Sequence, residues 1–217
     1  MNNTQKSPLQ EAVEQAHAKG RRAVIPFITA GFPDMDSFWT HLERIDAAGA
    51  DIIEIGVPFS DPVADGPVIE DASRDALARG VSLKWILDGL KARKGQFSAK
   101  LALMGYVNPF YQYGLENLAR DAAEAGVYGF IVPDMPLEES GMFRKVFAPY
   151  GLTLVTLVAP NTSVERMKEY KPCTEGFVYV VSVLGTTGGK TDLEQSVAET
   201  MRRARSVFDV PLALGFG

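Results

Sequence analysis

The stretch AAGADIIEIG, residues 47 to 56, and the stretch EAGVYGFIVP, residues 124 to 133, share one pattern: a helix end, an Ala-Gly step and the entry to an apolar strand. They read as degenerate copies of a single βα unit, and the chain on either side repeats the alternation. AVIPFITA (23 to 30) is a β-branched and aromatic run ending at Gly31, after which Phe38, Leu42 and Ile45 recur at helical spacing up to Gly49. Further strands are expected at DIIEI (51 to 55), KLALMGY (100 to 106), GFIVP (129 to 133), LTLVTLV (152 to 158), FVYVVSV (177 to 183) and PLALG (211 to 215). Helices are expected at about 69–93, 115–125, 138–148 and 192–206, with a short one after Ser163. A leading helix starts at Ser7-Pro8-Leu9-Gln10, which has the form of a capping box, and runs to Gly20.

Seven strands result, each but the last followed by a helix. Several are apolar throughout rather than alternating, as parallel strands covered on both faces must be. Such a chain is either a (β/α)₈ TIM barrel or a doubly wound open sheet. A dinucleotide-binding sheet would carry G-x-G-x-x-G after its first strand, and here that strand runs into Thr29-Ala30-Gly31-Phe32-Pro33, which favours the barrel. A barrel of this type takes about 250 residues and eight strands. This sequence closes on GFG at the end of strand seven. The expectation is one α/β barrel domain over residues 1–217 with a leading helix, short of the last strand and about two helices.

With 217 residues, 46% of them hydrophobic and 23% charged, the chain can bury a large core. A net charge of −5 and 22 scattered Lys and Arg residues argue against a nucleic-acid footprint and favour a small-molecule or protein partner. MNNTQKSPLQEAVEQAHAKG lacks the apolar segment of a signal peptide, and no later run approaches a membrane span, so a cytoplasmic location is expected. The single Cys173 excludes an internal disulfide, and one thiol with the distant His17 and His41 argues against a Cys/His zinc site. No metal is expected.

Reactive groups of a barrel sit at the C-terminal ends of its strands and on the loops beyond them. Lys100 opens its strand and Cys173 precedes one, so neither a Schiff-base lysine nor a cysteine nucleophile fits. His17 and His41 lie in expected helices. Glu54 passes the test: strand periodicity puts Ile52, Glu54 and Gly56 on one face and Ile53 and Ile55 on the other. A carboxylate on the dry helix-facing side would be costly to desolvate, so Glu54 is expected to point into the barrel mouth. The alternative is a structural glutamate paired with a backbone donor or a distant arginine. Asp51, at the start of the strand, reads as structural or solvated.

Asp61 and Asp65 lie on the following loop, where capping competes with ligand binding as their role. If Pro67 is the first helical residue, Gly66 takes the cap and Asp65 is left to face a ligand. LGTTGGK (184 to 190) and GFG (215 to 217) are either turns or glycine-rich cradles for an anion across the mouth from these acids.

These passages resemble the tryptophan synthase alpha subunit family over nearly the whole chain: PFITAGFPD (26 to 34), GADIIEIGVPFSDPVADGP (49 to 67), LMGYVNPFYQYG (103 to 114), VPDMPLEES (132 to 140), APNTS (159 to 163), residues 177 to 190, and ALGFG (213 to 217). The resemblance implies a lyase that cleaves indole-3-glycerol phosphate to indole and glyceraldehyde 3-phosphate by retro-aldol chemistry, with no cofactor of its own. It implies that Glu54 is the acid/base, that Asp65 accepts from the indole nitrogen, and that Tyr179 supports Glu54 or the substrate. Phe27, Thr29, Leu103, Tyr106, Leu157 and Phe216 would line the indole and glycerol pocket.

By the same resemblance, Gly188 and Gly217 would offer backbone donors to the phosphate, and Thr187 would belong to a loop that closes over substrate. Asp61, Pro62 and residues near Gly185 would face a pyridoxal-phosphate-dependent beta subunit in an alpha2beta2 assembly, and Asp134, Pro136 and Asn161 would belong to the barrel top or that interface. In the family, a further glycine-serine turn after strand eight completes the phosphate site, which this sequence lacks. The competing reading is a noncatalytic barrel that binds an indole-type ligand or activates a beta-type partner.

Overall fold

The computed structural model describes residues 6–182 and 190–216, and for residues 190–193 the helical backbone alone. In chain order the elements are α1 (Pro8–Ala18), β1 (Phe27–Thr29), α2 (Met35–Ala47), β2 (Ile52–Gly56), α3 (Pro67–Ala78), α4 (Leu83–Ala92), β3 (Lys100–Met104), α5 (Val107–Tyr113), α6 (Leu115–Glu124) and β4 (Val127–Ile131). They continue as α7 (Leu137–Phe147), β5 (Thr153–Leu154), β6 (Thr156–Val158), α8 (Val164–Tyr170), β7 (Val178–Val181), α9 (Lys190–Val207) and β8 (Leu212–Gly215). No described helix is long and apolar enough to cross a membrane.

Every strand pairing is parallel, in the order β1-β2-β3-β4-β5 and then β6-β7-β8. β5 and β6 are two lengths of one run parted only by Val155: the first pairs with β4 and the second with β7. The described strands thus make the seven-run parallel arc of a partial TIM barrel. At the changeover, Arg144 of α7 donates Nη1 to the carbonyls of Leu154 at 3.0 Å and Cys173 at 2.6 Å, supplying donors where the ladder changes partner.

The apolar residues sort into three layers, as strand periodicity requires. Ile53, Ile55, Leu103, Phe130 and Leu154 face the helices on the outside of the first five strands. Val158, Val178, Val180 and Leu212 do the same under α8 and α9. The inner layer holds Ile52, Ala102, Ile131, Val155 and Phe177, together with Leu9, Ala12 and Val13 of α1. Helix α1 therefore closes the floor of the barrel. A Cβ at Gly129 of β4 would come within 2.7 Å of Leu9 Cδ1 and 2.6 Å of the Thr153 carbonyl, so the missing side chain is what admits the plug.

Local chemistry explains most boundaries. Ser7 caps α1 by accepting from the Gln10 N–H, but the Gln10 side chain donates to Glu14 at 2.9 Å, so one half of the expected capping box forms. Asp51 accepts both Arg21 guanidinium nitrogens at 2.6 Å and the Val24 N–H at 2.9 Å. The Arg21 hydrogen bonds hold its carboxyl below the usual carboxylate range, which makes it the structural acid at the foot of β2.

Two expectations need correction, and one helix lies outside the expected set. The run at 23 to 30 is a ladder only over Phe27–Thr29, because Pro26 has no N–H to give; Val24 and Pro26 still accept through their carbonyls from Asp51 and Glu54. The single helix expected at 69–93 is two, α3 and α4, since Gly80 adopts φ +87° and Ser82 caps a new start. Helix α5 was not anticipated across a proline, yet Pro109 falls in the first turn, where the missing N–H would have had no intrahelical partner.

Candidate functional site

Glu54 lies on the inner face of β2, one layer below the strand end, in register with Phe27 of β1 and Ala102 of β3. It is 4% exposed. Burial pushes its pKa from 4.5 to about 7, and no cation or donor among the described residues offsets that push. The alternative reading, a glutamate paired with a backbone donor or an arginine, finds no such partner among those residues. What remains is a carboxyl group poised to gain or lose a proton near neutrality.

Asp65 lies on the β2–α3 loop, beyond the C-terminal end of the same strand. Pro67 is the first residue of α3, Gly66 is its cap, and no side chain caps the helix, so Asp65 is not spent on that task. Burial raises its pKa, Tyr106 counteracts by hydrogen bonding to it, and nearby Glu70 adds to the rise; the net shift is upward. The Tyr106 hydroxyl also accepts the Ala64 N–H at 3.0 Å, and its ring lies 5.4 Å from that of Phe59. Burial first, and the charge of Asp65 after it, push the Tyr106 phenol up to about 12, so it stays a neutral donor.

Phe27, Gly56, Asp65, Met104 and Tyr106 surround one recess at the mouth. The Phe27 ring occupies the space that a side chain at Gly56 would need. Tyr179, on the inner face of β7, is seated in the same way over Gly215 of β8. Burial pushes its phenol up to about 12, with the Glu54 charge as the second cause, so the tyrosine and the acid sense each other across the interior. Thr29 is buried in the mouth layer, in register with Gly56.

Other expected positions fall elsewhere. Leu103 pairs with Ile55 and Phe130 and packs against the helices, so it does not line the mouth; Met104, one residue on, does. Leu103 and Tyr106 are three residues apart, and a period of two cannot put both on one face; counting back in twos from Tyr106 selects Met104. Phe216 is 83% exposed and is no wall of this recess. Leu157 belongs to the inner layer but borders a different recess, between β6, α7 and α8, with Arg144 and Tyr170. Asp61 is exposed and takes the Ser60 hydroxyl, and Pro62 beside it is half-buried on the outer part of the loop. Gly185, Thr187, Gly188 and Gly217 lie outside the described residues.

Asp134 on the β4–α7 loop, expected at the barrel top or the partner interface, accepts the Val107 N–H with both carboxylate oxygens, at 3.0 and 3.3 Å. Among the described residues no three His, Cys, Asp or Glu side chains group as metal ligands would.

The arrangement offers a neutral-range acid/base, a second carboxylate at the recess wall and two phenols that stay protonated: the equipment for moving a proton on and off a substrate that develops positive charge. A family profile described as tryptophan synthase alpha chain matches residues 13–217. The tryptophan synthase alpha chain of Desulfovibrio desulfuricans is 61% identical over 209 residues, covering 96% of this chain and 82% of that one. That of Nitratidesulfovibrio vulgaris is 57% identical over 211 residues, covering 97% and 82%. A solved Mycobacterium tuberculosis tryptophan synthase superposes with a TM-score of 0.90 at 33% identity, over 98% of this chain and 81% of that one. The alpha subunit from Legionella pneumophila gives 0.86 at 32% identity, over 98% and 79%. The chain belongs to the tryptophan synthase alpha-chain family, the lyases that cleave indole-3-glycerol phosphate in tryptophan biosynthesis.

Proposed function

We propose that Glu54 carries both proton transfers of this cleavage and that Asp65 stabilises the charge between them. Protonated Glu54 gives its proton to indole C3, which places positive charge on the ring nitrogen. The Asp65 carboxylate accepts the ring N–H and balances that charge. Glu54, now ionised, takes the proton of the side-chain hydroxyl next to the ring. The C–C bond breaks, its electron pair restores the indole ring, and the hydroxyl carbon becomes the aldehyde of glyceraldehyde 3-phosphate. One proton is given and one recovered, so the acid is regenerated and no cofactor is required of this chain.

The observation that carries the reading is Glu54 itself, a buried acid with a pKa of about 7 in register with Phe27, which lines the same recess as Asp65. Its protonated form starts the cycle, so kcat/KM should fall by about tenfold per pH unit above pH ~7. A profile flat from pH 6 to 9 would remove Glu54 from the first step. Asp65→Asn should lower kcat by about 10²-fold with KM little changed, because the charge it meets exists only after protonation. If KM alone rises, Asp65 binds the ground state instead.

The partner reading rests on the alpha–beta complexes of the family. Asp61 and Pro62, with the neighbouring Val63 at 81% exposure, present the outer side of the β2–α3 loop to a pyridoxal-phosphate-dependent beta subunit. This same loop carries Asp65 at its other end, which puts the contact and the chemistry on one short segment.

A further inference from the structure

Three successive loops at the mouth are joined by hydrogen bonds that the chemistry above does not use. Helix α5 begins at Val107, and its cap residue Tyr106 provides no side-chain cap. The cap comes from the next βα unit instead, where Asp134 accepts the Val107 N–H with both oxygens. A carboxylate at a helix N-terminus satisfies an otherwise orphaned donor and is favoured by the helix dipole. The residue thereby fixed is adjacent to Tyr106, whose hydroxyl holds the Ala64 N–H on the β2–α3 loop and whose side chain lines the same recess as Asp65. The linkage runs from Asp134 through Val107 and Tyr106 to Ala64 and Asp65, across the β4–α7, β3–α5 and β2–α3 loops in turn.

The need for such a linkage follows from the loop's composition. Asp65 follows an exposed Ala64 and precedes an exposed Gly66, so its immediate neighbours bury nothing that would fix its direction. Helix α5, at seven residues, is too short to hold Tyr106 still by its own hydrogen bonds.

We propose that Asp134 is a positioning residue for the lyase site: it fixes Tyr106, and Tyr106 fixes the loop that presents Asp65. The proposal rests on the role given to Asp65 above, and the test separates the two.

Two variants break the linkage from opposite ends. Asp134→Ala removes the acceptor. Val107→Pro removes the donor and keeps an apolar side chain where Val107 packs on the core, since proline is tolerated at the first helical position and Tyr106 already has the extended backbone (φ −89°, ψ 157°) that a following proline requires. In the full enzyme with its beta partner, each should lower kcat/KM by about tenfold, and Asp134→Asn, whose amide oxygen still accepts, should restore most of the loss. In a Tyr106→Phe background, adding Asp134→Ala should cost less than twofold, because the path is already cut.

Amide hydrogen exchange at Ala64, read in the same variants without substrate, should speed up by at least tenfold in Asp134→Ala, Val107→Pro and Tyr106→Phe. Unchanged Ala64 exchange in Asp134→Ala or Val107→Pro overturns the linkage whatever the kinetics, as do effects that multiply fully in the double variant. Faster Ala64 exchange with unaltered kcat/KM would leave the linkage standing and overturn its service to Asp65. Absence of turnover in the wild-type enzyme would sink the lyase assignment of this site and not the linkage.

Discussion

Glu54→Gln should lower kcat for indole-3-glycerol phosphate cleavage by about two to four orders of magnitude while making the folded chain more stable above neutral pH. The two effects have one cause. The group titrates near 7 in the folded chain because it is buried, whereas the ordinary value is 4.5. From about pH 4.5 to 7 the folded chain keeps a proton that the unfolded chain has released, so stability falls as pH rises through that window, and the loss is complete above it. At 1.36 kcal/mol per unit, the penalty is about 3 kcal/mol. A neutral amide cannot ionise and escapes it, but has no proton to give to carbon. Thermal melts at pH 5 and pH 8 read one half: the variant should gain on the wild type only at pH 8. Steady-state indole release reads the other. Near-wild-type turnover would end the acid/base assignment, and an equal melting difference at both pH values would contradict burial as the origin of the shift.

Gly215→Ala should damage the site from the far wall. The added carbon would overlap Cε1, Cζ and Oη of Tyr179, whose ring is seated over that glycine. The tyrosine is the second of the four residues of β7, with buried neighbours on either side, so the ring has to tilt or the strands have to part. Overpacking of this kind costs about 1–3 kcal/mol of stability. Displacement by about 1 Å of a group beside the acid costs about 10²-fold in turnover. A variant with unchanged melting temperature and unchanged kcat/KM would show that Tyr179 has room to move without consequence.

What could be read from residues alone divides along a physical line. The alternation, the barrel and the inward direction of Glu54 follow from local rules: strand period, helix spacing and the cost of burying a charge on a dry face. The freedom of Asp65 was legible too, because proline at the first helical position moves the cap to Gly66. Leu103 was misplaced where parity within one strand conflicted with the resemblance, and register with β2 settled it in favour of Met104. Gly56 and Gly215 gave no signal at all, since the rings they seat come from the neighbouring strands and only the assembled sheet brings them together. Asp134 is the same kind of case: its partner amide lies 27 positions earlier in the chain. The changeover at Val155 is likewise invisible in LTLVTLV, because it depends on which neighbour each half of the strand meets.

The helical floor bears on how this protein is made. Leu9 is translated well before the glycine over which it packs, Gly129, which lies roughly 120 residues later. At about 5–20 residues per second, the amphipathic segment waits some 6–24 s for its seat. Eleven residues are too few to hold a helix in water unaided. During synthesis the plug therefore remains a frayed amphipathic segment, and the bottom of the barrel can seal only once β4 has been translated.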